Sequence, residues 1–257
     1  LPSNTFSSSA NAFVLRGAQP VFVDCQTDTL NIDPKQVESA ISTKTKLIVA
    51  VHYAGVGCDM DALYELVDGS DTLIVEDAAQ GLGAYYKGRP LGTIGSLGAY
   101  SFQETKNITC GEGGALVIND EVFIDRAEVI YEKGTNRSAF LRSEVDKYTW
   151  QDLGSSFLLG DLACDFLNPQ IVSIDEIIKN RVTAWRLYRR NLLDLEKSGK
   201  VRLPHVPDTC RHNGHMFYIL LDGAYNREAV INDLSGKGIA AASHYVQLHS
   251  SPAGKKY

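Results

Sequence analysis

The sequence predicts an α/β protein with a mostly parallel sheet flanked by helices. Short apolar runs of strand length recur along the first half of the chain, and amphipathic helical segments separate them. Two of these runs also end in polar residues, His52 and Glu76-Asp77, and folds of this class place their chemistry at the carboxyl ends of strands.

Pro20-Val-Phe-Val-Asp24 reads as a buried strand ending in an acid. Asp33-Pro34 opens a helix, with Asp33 suited to the N-cap and Pro34 to the first turn, and Val37, Ala40 and Ile41 give it an apolar face. Lys46-Leu-Ile-Val-Ala-Val-His52 is the next buried strand, with Tyr53-Ala-Gly-Val-Gly57 as its exit loop. Residues 59–67 read as a helix with Met60, Leu63 and Leu66-Val67 on one side, and Thr72-Leu-Ile-Val75 as a third strand. A strand is expected over Gly113–Ile118 and a helix over Glu121–Glu132, followed by a polar, turn-rich stretch over 134–156. From Asp161 to Leu195, Ile171, Ile174, Ile178, Val182, Trp185 and Leu192 recur at helical spacing, and Pro169 is expected to break or kink that helix near its start. Val201-Arg-Leu203, His215–Leu221, a helix near 228–236 and the segment 239–249 complete a smaller α+β unit. The expected division is a large α/β domain over 1–160 and a long connecting helix with a small domain over 161–257.

The 44% apolar and 22% charged fractions are those of an ordinary globular protein. A net charge of −6 excludes bulk attraction to nucleic acid, so an anionic substrate needs local cationic groups. The five cysteines are scattered without CxxC spacing, which indicates neither a zinc site nor a disulfide framework and suits reduced thiols in a cytoplasm. No leader is expected from the sequence, and it has no apolar run of membrane-spanning length.

The most informative residue is Lys106, in the Ser/Thr/Gly-rich stretch Ala99–Ala115, 29 positions after Asp77. An acid at the end of a strand followed by such a lysine suits pyridoxal phosphate (PLP). The amine condenses with the cofactor aldehyde, and the acid pairs with the pyridine nitrogen.

The motifs Pro20-Val-Phe-Val-Asp24, Val51-His-Tyr-Ala-Gly55, Val75-Glu-Asp-Ala-Ala-Gln80, Ser101-Phe-x-x-x-Lys106-Asn and Gly111-Glu-Gly-Gly114 occur in this order, and with them the chain resembles the DegT-type sugar aminotransferases. Glu132-Lys-Gly-Thr-Asn-Arg-Ser138, Asp146-Lys-Tyr-Thr-Trp150 and Gly154-Ser-Ser156 are similar to one branch of that family, the dTDP-4-amino-4,6-dideoxygalactose transaminases. The resemblance implies a fold-type I PLP enzyme, cytoplasmic and homodimeric, that passes an amino group from glutamate to C4 of a dTDP-4-keto-6-deoxyhexose for surface polysaccharide. It assigns Lys106 to the covalent cofactor linkage and proton transfer, and Asp77 to the pyridine nitrogen. Gln80 is assigned to the phenolic oxygen, Ser101 to the phosphate and Phe6 to the ring face. Ser156 would reach the neighbouring subunit's phosphate, and His249 would lie near the sugar. Most of the family carries Asn at the Ser156 position, and many members carry His at that of Gln103. Family members also have about a third more sequence before the segment equivalent to Leu1, including a turn that cradles the phosphate at a helix N-terminus, so the chain is expected to be incomplete at that end.

Bland readings stand beside these. Asp77 alone could cap the next helix, His52 could be a satisfied core histidine, and Gly111-Glu-Gly-Gly114 could be a tight turn into a strand. Lys133, Arg137 and Lys147 could be a solvated face, and His249 a surface residue near a terminus. The sharper expectation for Arg137 is a clamp on the nucleotide diphosphate. The rival enzyme class, a sugar dehydratase on the same fold, carries His in place of the lysine. The rival outside enzymes is a silent, truncated homologue acting as a dimerising or binding module.

Overall fold

The computed structural model describes all residues from 1 to 257. The chain enters through α1 (Ser8–Val14) and α2 (Pro34–Ala40), then alternates β1 (Leu47–Val51), α3 (Met60–Glu65) and β2 (Leu73–Asp77). A short hairpin, β3 (Tyr85–Tyr86) and β4 (Arg89–Pro90), precedes β5 (Leu97–Ser101) and β6 (Gly114–Ile118). One sheet has the order β1-β2-β5-β6; its first two pairings are parallel, and β6 returns antiparallel on the edge.

The caps follow the sequence. Asp33 accepts the Lys35 N–H at the start of α2, and Asp59 accepts the Ala62 N–H at the start of α3. The main core packs Val37 of α2 and Met60 and Leu63 of α3 against Ile48 and Ile74 of the sheet. Each such burial stabilises by about 1.5–3 kcal/mol. β5 is drawn close to the turn before it: a Cβ on Gly98 would lie 2.0 Å from the Gly92 carbonyl oxygen, so only glycine fits there.

Beyond the sheet lie α4 (Ile124–Tyr131), α5 (Arg137–Leu141), α6 (Asp161–Val172) and α7 (Ile174–Lys197). Leu167 of α6 packs on Phe102 and Ile108, which flank the lysine loop. The remainder holds β7 (Val201–Arg202), β8 (Cys210–Arg211), β9 (Leu220–Leu221), α8 (Arg227–Gly236) and α9 (Pro252–Lys256). β7 pairs with β9, while β8 adds to β3 and ties the C-terminal segment to the front of the chain.

Four expectations need correction. Residues 20–24 form no full strand: Val23 makes a single bridge to Pro2, and Val21 is 57% exposed. The long helical stretch breaks at Ser173 rather than at Pro169. Pro169 sits inside α6, and the helix ends once the Ser173 N–H has bonded the Pro169 carbonyl. In 215–221 only Leu220-Leu221 join a ladder, because β7 offers just two residues to pair with. Residues 239–247 have no regular structure; their polar groups turn to the site described next.

Candidate active site

Asp77 closes β2, and Ser101 closes the adjacent parallel strand β5, with Asp77 in register with Ala99. Both therefore open on the same edge of the sheet, the carboxyl edge. Asp77 Oδ2 accepts a hydrogen bond from the Ser9 hydroxyl at 2.5 Å, and Oδ1 accepts one from the Ala79 N–H at 3.1 Å. The loop after β5 brings Lys106 back to this edge. It is half-buried and lines one cleft with Gln80, Ser101, Asn107, Asn213 and His215. Burial pushes the Lys106 ammonium below its ordinary value, and the Asp77 carboxylate opposes that shift. A depressed lysine offers more free amine, the nucleophilic form.

The exit loop of β1 fixes Gln80. Ala54 sits at φ 57°, and its N–H donates to Gln80 Oε1 at 2.6 Å. That contact decides the amide's orientation, so Nε2 is a donor aimed outward; it reaches the Tyr245 hydroxyl at 3.2 Å. Burial pushes the Tyr245 phenol up to about 12. Gly55, at φ 76°, lies where a Cβ would meet Asn213 Oδ1 at 1.9 Å. Asn213 itself is buried and donates to the Gln80 and Leu82 carbonyls. His215 bonds the Asn107 side chain at 3.0 Å. Burial, with the charges of Lys106 and Arg181, pushes its imidazole down to about 3, so it is neutral beside the lysine loop.

Directly beneath the site, Glu76 is fully buried. It accepts from His52 Nε2 at 2.8 Å and from the N–H groups of Gly92, Ile94 and Gly95 at 2.7, 2.5 and 2.6 Å. His52 Nδ1 accepts from the Cys58 N–H, which places the imidazole proton on Nε2, facing the carboxylate. His52 is thus a satisfied core histidine, and the pair anchors the strand that ends in Asp77.

Of the residues expected at the site, Lys106, Asp77, Gln80 and Ser101 come together. Phe6 is 60% exposed on the turn before α1, with its ring centroid 6.3 Å from that of Tyr245. His249 is held by Ser3 Oγ at 2.5 Å, in a short helical turn that follows the Tyr245 segment. Arg137 and Ser156 stand apart. Arg137 gives one guanidinium nitrogen to the buried Glu132 at 3.1 Å, and Ser156 is exposed, bridged to Glu132. Ser9, Asn213, His215 and Tyr245 join these residues without a sequence motif that marks them. Tyr245 lies in the same Tyr245-Val-Gln-Leu-His249 segment that drew attention to His249, and Ser9 in the serine run after Phe6.

The donor set fits PLP. The cleft offers an amine for the aldehyde, a fixed amide donor for the phenolic oxygen and, at Ser101, a hydroxyl for the phosphate. On the same sheet edge Asp77 offers a carboxylate for the pyridine N–H, and the Phe6 ring stands beside Tyr245, the partner of Gln80. Asp77 has one donor on each oxygen, which leaves lone-pair capacity for another.

The model of the DegT/DnrJ/EryC1/StrS aminotransferase family matches residues 1–257. The spore coat polysaccharide biosynthesis protein SpsC of Bacillus subtilis is 32% identical over 255 residues, which cover 96% of this chain and 65% of SpsC. Among solved structures, S. venezuelae DesV in complex with a ketimine intermediate is 32% identical with a TM-score of 0.87, over 100% of this chain and 66% of DesV. The sugar aminotransferase CalS13 from Micromonospora echinospora is 26% identical with a TM-score of 0.88, over 99% of this chain and 69% of CalS13. The chain spans 66% and 65% of the length of two curated relatives it matches. Family members use PLP, and the fold is that of the fold-type I PLP-dependent aminotransferases. With a match along its whole length, the chain belongs to the DegT/DnrJ/EryC1/StrS aminotransferase family.

Proposed function

We propose that this chain carries a PLP-dependent aminotransferase activity that moves the amino group of glutamate to C4 of a dTDP-4-keto-6-deoxyhexose. The product would serve surface polysaccharide synthesis, of the enterobacterial common antigen or O-antigen kind. The observation that carries the reading is the placement of the half-buried Lys106, in the loop after β5, and the Asp77 carboxylate, at the end of the adjacent parallel strand β2, on one edge of the sheet, where the carboxylate acts on the charge of the amine. When bound, PLP supplies an electron sink for bonds at the amine-bearing carbon. Lys106 anchors the cofactor and, once displaced, takes and returns the proton at that carbon. Asp77 keeps a proton on the pyridine nitrogen, an electrostatic effect in place before reaction. Gln80 donates to the phenolic oxygen and Ser101 to the phosphate. Phe6 covers a ring face, and His249 stands on the sugar side. On this reading, residues 1–160 form the cofactor domain and 161–257 the segment that closes on it.

The substrate assignment rests on the branch motifs Glu132–Ser138 and Asp146–Trp150. Purified chain with PLP, glutamate and the 4-keto sugar nucleotide is expected to give 2-oxoglutarate and the amino sugar nucleotide in equal amounts. Absence of both with every 4-keto-6-deoxy sugar nucleotide tried would contradict it.

Arg137 has further N–H groups beyond the one Glu132 takes, and these suit a diphosphate. Arg137→Gln keeps a donor for Glu132 while removing the charge. It is expected to raise the sugar-nucleotide KM about tenfold or more with PLP affinity unchanged; an unaltered KM removes Arg137 from the substrate site.

A second copy of the chain is the expected partner. Leu153, Phe157, Leu162 and Phe166 are each at least 60% exposed around Ser156, a patch of the kind that subunit interfaces cover. All five cysteines are free, which suits a cytoplasmic setting, and no helix is long and apolar enough to cross a membrane.

A further inference from the structure

We propose that Ser9 is a positioning residue for the cofactor acid: with Thr5, it forms a two-hydroxyl relay that sets the Asp77 carboxylate and registers the Phe6 turn on it. The inference rests on the PLP reading above and adds a residue to it.

Three contacts define the relay. Ser9 Oγ donates to Asp77 Oδ2 at 2.5 Å, Thr5 Oγ1 lies 2.9 Å from Ser9 Oγ, and the Ser9 N–H bonds the Phe6 carbonyl at 3.1 Å. The Ser9 hydroxyl has one proton, and the carboxylate takes it, so the Thr5 hydroxyl must be the donor to Ser9. The chain of donors therefore runs from Thr5 to Ser9 to Asp77 in one direction, and each bond polarises the next. Thr5 and Ser9 are 3% and 7% exposed, so water competes poorly for either hydroxyl.

The consequence for the acid is geometric. Asp77 Oδ1 is held by the Ala79 N–H and Oδ2 by Ser9, so the carboxylate plane has two fixed points. Without the Ser9 hydroxyl it can rotate about χ2, a broad torsion. A bond to the pyridine N–H would then require ordering that the relay now provides beforehand. The same contact carries the turn bearing Phe6, so one hydroxyl places both the acid and the aromatic. Asp77 lies 68 residues from Ser9, so no local element could fix their distance.

The test is a double-mutant cycle read as PLP affinity, by fluorescence titration of the purified chain, with urea midpoints of the cofactor-free proteins as a second readout. Ser9→Ala is expected to weaken PLP binding about tenfold, and Ser9→Thr to restore it to within about twofold, as fits a hydrogen bond to a charged group. In the Asp77→Ala background, Ser9→Ala should change PLP affinity less than about twofold, because the partner it acts through is gone. Wild-type affinity in Ser9→Ala, or an undiminished loss in the Asp77→Ala background, overturns the proposal. So does a loss matched by a fallen urea midpoint that Ser9→Thr does not rescue, since that marks a purely structural contact. Wild-type chain that takes up no PLP sinks the functional reading and this inference with it; wild-type uptake with a silent Ser9 sinks only the inference.

Discussion

Lys106→Ala is expected to lower transamination at least about 10⁴-fold, because both the covalent anchor and the proton carrier are lost together. The urea midpoint should stay near that of the wild type, as Lys106 is half-buried and makes no side-chain hydrogen bond in the structure. Lys106→Arg sharpens the test. It keeps a positive charge near Asp77, but a guanidinium does not lose its proton, so it too should be inactive. The pH dependence follows from the depressed amine. Only the neutral form attacks an aldehyde, so covalent uptake of PLP should rise with pH and reach half its maximum below 10.5, the ordinary lysine value. Substantial turnover in either variant would remove Lys106 from the mechanism.

The largest stability effect is expected at Glu76. Glu76→Ala would strand three backbone N–H groups and the His52 imidazole in a fully buried site, a loss of about 3–5 kcal/mol. That is a large share of a domain's stability, so Glu76→Gln is the variant to measure. It retains one acceptor oxygen but faces the remaining N–H groups with its own donors, and its urea midpoint should fall clearly. Burial alone would raise the Glu76 carboxyl, yet the His52 contact and the N–H groups of Gly95 and Gly92 outweigh it and hold the group below 4.5. A depressed acid contributes its full stability above its unfolded value and loses it as the pH falls through the folded value. The wild-type urea midpoint should therefore drop on acidification below about 4.5, and Glu76→Gln should lack that part of the slope. Equal slopes would show that the carboxylate is not what the pocket holds.

Several elements were legible because one local signal sufficed. The uninterrupted Leu-Ile-Val-Ala-Val run gave β1, and Asp-Pro gave the start of α2. β5 was not read as a strand. Its sequence Leu-Gly-Ala-Tyr-Ser is weakly apolar because the approach of Gly92 forbids a side chain at Gly98. Pro20–Asp24 misled in the opposite direction, since an apolar run forms a ladder only where a neighbouring strand is available to pair. Residue type, order and family resemblance put Lys106, Asp77, Gln80 and Ser101 forward as candidates. They do not give the contacts that hold these side chains, because the partners are remote in sequence. Gln80 meets Tyr245 across 165 residues and Asn213 across 133, and Asn107 meets His215 across 108. No periodicity or motif encodes such pairings; they follow from the sheet that brings the strand ends together and the C-terminal segment that closes over them.

Borohydride reduction of the purified chain with added PLP, followed by mass spectrometric mapping of the adduct, tests most directly whether these residues assemble a working cofactor site around Lys106. The expected result is a visible absorbance band that reduction abolishes, and a single phosphopyridoxyl group on Lys106. No band and no adduct, or label spread over surface lysines with Lys106 unmodified, would contradict it.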